Sequence, residues 1–161
     1  MVKPTTVRLV LSLALSSGWP IHQIDIQNAF LYGTLTEVVY MTQLFGFIHP
    51  QHQSHFCKLN KALYGLKQAP RAWFSWLSSK LIQLGFINSC SNASLFISCS
   101  ADYLMLVLIY VDDIIITCSS QITIQSLLWE LHNDFVAKDL GPLNYFLGIK
   151  VLPCNHGIIL S

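Results

Sequence analysis

The chain has 161 residues, is 53% hydrophobic and only 11% charged, and carries a formal net charge of +1. That is about one domain with a sizeable core, far below the roughly 25% charged residues of an average soluble domain, and it gives no global electrostatic signal for nucleic acid. The five cysteines (57, 90, 99, 118 and 154) form no C-x-x-C pair and no disulfide framework, so they read as reduced thiols of a cytosolic or nuclear protein that is not secreted.

The first segment, Met1–Gly18, has a basic start, a short apolar stretch and then small residues, the outline of a signal peptide. The favoured reading is a core helix over Thr6–Ser17 ending at Gly18, because nothing downstream looks secreted. Ile21–Ile26 alternates around Asp25 and predicts a strand. Phe30–Gly33 predicts a turn. Val38–Met41 and Phe56–Leu59 predict short strands around a polar loop. Ala69–Leu84 predicts a helix: Pro70 suits its first turn, Trp73, Leu77, Leu81 and Leu84 share one face, and Gly85 stops it.

Leu95–Ser98 predicts a short strand, and Tyr103–Tyr110 with Ile114–Thr117 a hairpin. A helix is expected over Ile122–Phe135, capped by Ser119 or Ser120. Gly141-Pro142 reads as a break, and Tyr145–Leu152 as the closing strand. Ile158–Leu160 is one more strand or the start of a further segment. The apolar run Leu104–Thr117 is shorter than the ~20 residues of a spanning helix, so no membrane partner is expected.

That run is interrupted by Tyr110-Val111-Asp112-Asp113. A buried unpaired carboxylate costs several kcal/mol or takes up a proton, and two neighbours also repel. A strand-to-strand turn and a divalent cation relieve both penalties, and oxygen ligands of this kind suit Mg²⁺. The stronger elements run strand, helix, strand, strand, helix, strand. This is an α+β class with the ferredoxin-like βαββαβ antiparallel sheet, in which the first strand lies against the third. Asp25, near the end of the first strand, then shares a rim with Asp112 and Asp113. Convergent carboxylates on a rim are what two-metal phosphoryl transfer needs. An Asp-Asp turn beside an unrelated Asp is the plainer alternative at this point.

Four blocks bear on that choice: Gln23–Leu31 (Gln-Ile-Asp-Ile-Gln-Asn-Ala-Phe-Leu), Lys58–Trp73 with its Leu-Tyr-Gly-Leu-Lys-Gln-Ala-Pro-Arg-Ala-Trp core, Tyr110–Asp113, and Lys138–Ile149. In order and spacing they resemble the reverse transcriptase of copia-type LTR retrotransposons, over nearly the whole chain. The resemblance implies a partial reverse transcriptase domain over residues 1–161: the polymerase palm with part of the fingers, without thumb or RNase H. The implied activity is RNA-directed DNA polymerisation, a two-metal nucleotidyl transfer from deoxynucleoside triphosphates to a primer 3′ end with Mg²⁺ (or Mn²⁺).

By resemblance Asp25, Asp112 and Asp113 are the catalytic carboxylates, with Asp25 and Asp112 holding the metals and Asp113 ligating less directly. The carbonyl of Ile26 adds a ligand. Phe30 matches the aromatic gate against a ribose 2′-hydroxyl, although read alone it is a core side chain. Asn28 and Ala29 offer backbone N–H groups to the triphosphate, and Gln68 contacts the incoming nucleotide and template. Lys61, Lys67 and Arg71, with Lys58, track nucleic-acid backbone. Implied partners are an RNA or DNA template-primer, the nucleotide, and the rest of a Pol polyprotein with its fingers, thumb and RNase H.

His49, His52, His55 and Cys57 lack the intervals of a common zinc site and read as a surface loop. Gln27 stands where the family commonly has Lys, Thr42–Gly46 replaces its Glu-Gln-Pro-Pro-Gly, and Asn92-Ala93 its Asp-Pro. The alternative reading is a degenerate, non-enzymatic element remnant that keeps the fold. An RNA-recognition module on the same plan would need a basic-Gly-aromatic strand motif that is missing here. The isolated stretch is expected to be inactive or nearly so.

Overall fold

The computed structural model describes residues 3–143, 145–146, 149–154 and 157–160. The elements are α1 (Pro4–Ser16), β1 (Ile21–Ile26), a 3₁₀ turn (Ala29–Tyr32), β2 (Thr34–Thr42), β3 (Phe56–Lys61), α2 (Ala69–Gln83), β4 (Ile87–Ser89), β5 (Asn92–Cys99), β6 (Leu104–Tyr110), β7 (Asp113–Cys118), α3 (Gln121–Asp134), β8 (Ala137–Pro142), β9 (Tyr145–Phe146), β10 (Ile149–Cys154) and β11 (Gly157–Leu160). They form two compact units. The first comprises the chain up to Gln27 and from Leu81 onward; the second is Asn28–Lys80.

The first unit is built on a six-stranded antiparallel sheet in the order β4-β5-β6-β7-β1-β8. Either side of the Asp pair, β6 and β7 are apolar at nearly every position because both faces of these strands are covered. Side chains alternate between faces along a strand. On one face Leu95, Leu106, Leu108 and Ile115 pack with Val7, Val10 and Leu11 of α1 and with Phe146 and Val151. On the other, Ile24, Ile114 and Ile116 are fully buried, and α3 lies against β7. Helix α3 starts where the Ser120 hydroxyl accepts a bond from the Thr123 N–H, and it buries Ile124, Leu127, Leu128 and Leu131 at helical spacing.

Three sequence expectations need correction. The strand on the free side of β1 is β8, not Tyr145–Leu152. Gly141-Pro142 does not break the chain: Pro142 ends an edge strand, where it owes no ladder hydrogen bond, and Gly141 takes φ +75° in a bulge opposite Gln23 and Ile24. Tyr145–Phe146 and Ile149–Cys154 instead join β11 in a separate three-stranded sheet, and residues 147 and 148 lie outside the described residues. Asp113 opens β7 rather than sitting in the turn. The short strand β4 was not anticipated; three residues are too few to show a period.

In the second unit the β2–β3 hairpin stands on the 3₁₀ turn and α2. The Gly33 carbonyl accepts a bond from the Ala62 N–H, and Gly33 lies directly against α2. A Cβ there would fall 2.8 Å from the Trp73 nitrogen and 3.0 Å from Ala72 carbon atoms. The obstruction is backbone, which cannot step aside as a flexible side chain can. Gly33→Ala is therefore expected to destabilise this unit by about 1–3 kcal/mol, the range for overpacking. Urea unfolding followed by tryptophan fluorescence checks this, since Trp73 and Trp76 both lie here.

Candidate functional site

The carboxylates are brought together by strand pairing. Asp25 of β1 is the register partner of Asp113 of β7, and the Ile26 N–H donates to the Asp112 carbonyl at 3.0 Å. Asp113 in turn pairs with Tyr110 of β6, and Asp25 with Lys138 of β8. Tyr110, Asp113, Asp25 and Lys138 thus form a row across four strands on one face of the sheet. The three aspartates are all half-buried.

Val111 and Asp112 make the two-residue connection between β6 and β7. Val111 has φ +55°. Hairpin turns of this length need a positive φ at the first central position, which usually falls to glycine. A β-branched residue there is strained, and such strain clusters at functional sites.

Asp113 has its pKa raised above the ordinary 3.8, first by burial and then by the negative charges of Asp112 and Asp25. The Gln23 amide opposes the shift by donating to the Asp113 carboxylate at 3.3 Å. Gln23 is a site residue the sequence reading missed. The signal was available: two positions before Asp25 on a strand is the same face. Lys138 was missed because its place in the row depends on β8.

Among the described residues no group of three or more His, Cys, Asp or Glu side chains forms a ready metal cage. The donor set still fits Mg²⁺, which takes one or two carboxylates and completes its shell with water and substrate phosphate rather than an all-protein cage. A cavity of about 600 Å³ opens elsewhere in this unit, lined by residues including Phe86, Met105, Leu127 and Trp129; none of the three aspartates lines it.

The remaining predicted residues belong to the second unit. Asn28 takes a left-handed φ of +54° and starts the 3₁₀ turn, its carbonyl accepting from the Leu31 N–H. Neither the Asn28 nor the Ala29 N–H donates to a backbone carbonyl among the described residues. Phe30 is 9% exposed, with its ring 4.4 Å from that of Tyr64. Gln68 is half-buried, and its amide donates to the Glu37 carboxylate at 3.4 Å. Lys61 donates to the Tyr32 carbonyl at 3.3 Å, while Lys67 and Arg71 are exposed at the start of α2. No described helix is long and apolar enough to cross a membrane.

The family model for reverse transcriptase (RNA-dependent DNA polymerase) matches residues 1–161. The chain is 46% identical over its whole length to the retrovirus-related Pol polyprotein from transposon RE1 of Arabidopsis thaliana, and 44% identical to that from transposon RE2; it spans 11% of each. Over 153 residues it is 38% identical to the Pol polyprotein from transposon TNT 1-94 of Nicotiana tabacum, covering 94% of this chain and 12% of that polyprotein. No solved structure matches. On the match along its full length, the chain belongs to the reverse transcriptase (RNA-dependent DNA polymerase) family, alongside the Pol polyproteins of copia-type retrotransposons.

Proposed function

We propose that this chain is the palm, with part of the fingers, of an RNA-directed DNA polymerase that adds deoxynucleotides to a primer 3′ end. The observation that carries the proposal is the Asp25–Asp113 register pair beside the Val111-Asp112 turn. A like-charged pair opposite one another in a sheet is unfavourable for folding, so a role outside folding accounts for it best. The order β6-β7-β1-β8 supports the ferredoxin-like plan.

Asp25, Asp112 and Asp113, with the Ile26 carbonyl, would hold Mg²⁺ or Mn²⁺. When bound, such ions supply positive charge where oxygen develops negative charge in phosphoryl transfer. The protein's part is positioning. The Ile26–Asp112 bond fixes the turn to β1, and Gln23 orients Asp113. The free N–H groups of Asn28 and Ala29 suit the oxygens of a nucleoside triphosphate. Phe30, steadied by Tyr64, serves as the 2′-hydroxyl gate, and Gln68 contacts the nucleotide and template. Lys61, Lys67 and Arg71 supply charge to the nucleic-acid backbone. The partners are the template-primer, the nucleotide and the remainder of the Pol polyprotein. A remnant that keeps only the fold is the second reading; all three carboxylates being retained favours the first.

Activity is tested by placing this segment in the Pol polyprotein of transposon RE1 in place of its counterpart. Primer extension is expected there, and Asp25→Asn or Asp112→Asn should lower it at least about a hundredfold, since metal-ion catalysis supplies several kcal/mol. Extension surviving Asp112→Asn refutes the metal site. The isolated 161-residue chain should extend a primer far more weakly, because few basic residues grip the duplex.

The raised pKa of Asp113 makes a second prediction. The folded protein holds this proton to higher pH than the unfolded chain, so stability falls as pH rises above 3.8 and levels off beyond the folded pKa. Asp113→Asn removes the charge while keeping an acceptor for Gln23. The variant should match the parent below this window and melt at a higher temperature at pH 7. Mg²⁺ should narrow the gap by stabilising the parent more than the variant. Calorimetry across pH, with and without Mg²⁺, decides it: equal melting temperatures at pH 7 contradict the assignment.

A further inference from the structure

We infer that the loop joining β2 and β3 is a stacking surface for single-stranded nucleic acid, formed by the rings of His49, His52, His55, Phe45 and Phe47. The choice of ligand rests on the reading of the chain as a polymerase segment; the surface itself is a property of Asn28–Lys80 alone. None of the catalytic or nucleotide-binding residues assigned above lies in this loop; Lys58 and Lys61 of the adjoining β3 are shared with the backbone-binding set.

Four observations carry it. The first is ring geometry. The imidazoles of His49 and His52 stack with centroids 4.9 Å apart, and those of His52 and His55 at 4.5 Å with planes 17° apart. All three residues are exposed, so the outer rings of the stack offer faces to a further ring.

The second is exposed aromatic surface. A turn closed by the Phe47 N–H on the Leu44 carbonyl carries Gly46 at φ +85°, the position where such a turn requires a positive φ. Its apex is Phe45, 99% exposed, and Phe47 follows at 82%. Large apolar rings so fully in water mark an interaction site rather than a packing role.

The third is rigidity. Gln43 anchors the loop: its amide donates to the carbonyls of His52 at 2.6 Å and His55 at 2.9 Å, and its side-chain oxygen accepts from the His49 N–H at 2.7 Å. A platform held in shape loses less entropy on binding than a loose loop.

The fourth is charge, and it selects the occupant. From Val38 to Lys61 there is no Asp or Glu, while Lys58 and Lys61 are present with the three histidines. Lys58 pairs in register with the exposed Tyr40 on the hairpin. Aromatic faces with cations and without carboxylates suit a ligand that alternates π-faces and phosphates. In a duplex the base faces are already stacked on each other, so the loop selects unpaired strands.

The test is fluorescence anisotropy with a 5′-labelled 20-nucleotide dT strand and the purified chain. Working in EDTA without nucleotide makes the result independent of the carboxylate site, which primer extension tests separately. Phe45→Ser with Phe47→Ser, and separately His52→Ala, should each weaken single-strand binding at least about fivefold, as lost base stacking does. A blunt duplex of the same length should lose less. Lys58→Gln should flatten the salt dependence by about one contact. Circular dichroism melting must show each variant folded; should the double variant fail, His52→Ala and Lys58→Gln decide. Parent-like affinity in the folded variants, or no binding by the parent, overturns the inference. So does phenylalanine-dependent binding to phosphatidylserine vesicles combined with unchanged oligonucleotide affinity, which would make the loop a membrane contact.

Discussion

Asp25 and Asp113 face each other across the β1–β7 ladder, and the first unit is arranged to hold that unfavourable pair in place. Like charges opposite one another weaken a sheet. They stay together here because the register is fixed by what lies further along the same strands. Ile24 pairs with Ile114, and His22 with Ile116, with the isoleucines fully buried. Slipping the register by one residue would turn these side chains to the other face and break both layers of core. The energy of that core therefore exceeds the repulsion at its end.

The same reasoning covers the turn. Val111 in the left-handed region costs roughly 1–2 kcal/mol relative to a relaxed backbone. It is retained between β6 and β7, strands whose pairing runs over six register positions from Met105 to Tyr110. A strained tip on a long hairpin whose strands are buried through most of their length is tolerable; on a two-stranded surface ribbon it would open the turn. Gln23 shows how closely the unit works: a buried amide donates to the Asp113 carboxylate and opposes the upward push that burial gives its pKa.

How much of this was legible in the sequence depended on the range of the interaction. The Asp pair in an apolar run, the helices Ala69–Gln83 and Gln121–Asp134, and the pairing of the first strand with Ile114–Thr117 follow from local periodicity and element order. The edge strand Ala137–Pro142 did not, because Gly-Pro is a local stop signal. Only the bulge against β1, a partner more than a hundred residues away, shows that the chain continues as strand. Gly33 was read as a turn glycine, whereas its φ is an ordinary −67° and the constraint is contact with the backbone of α2. That kind of demand leaves no pattern in neighbouring residues.

The histidine loop shows the opposite limit. Three histidines at intervals of three invite a metal reading, but the intervals match no common zinc site and the sequence favours a surface loop. In the structure the three imidazoles stack instead, with centroids 4.5 to 4.9 Å apart and planes 17° to 29° apart. The interval of three still matters: backbone bonds from His52 to His49 and from His55 to His52 repeat the same turn and bring the rings into line. Equal spacing thus produces a stack of rings. That stack depends on the backbone between the rings, which residue identities leave open and the Gln43 anchor fixes.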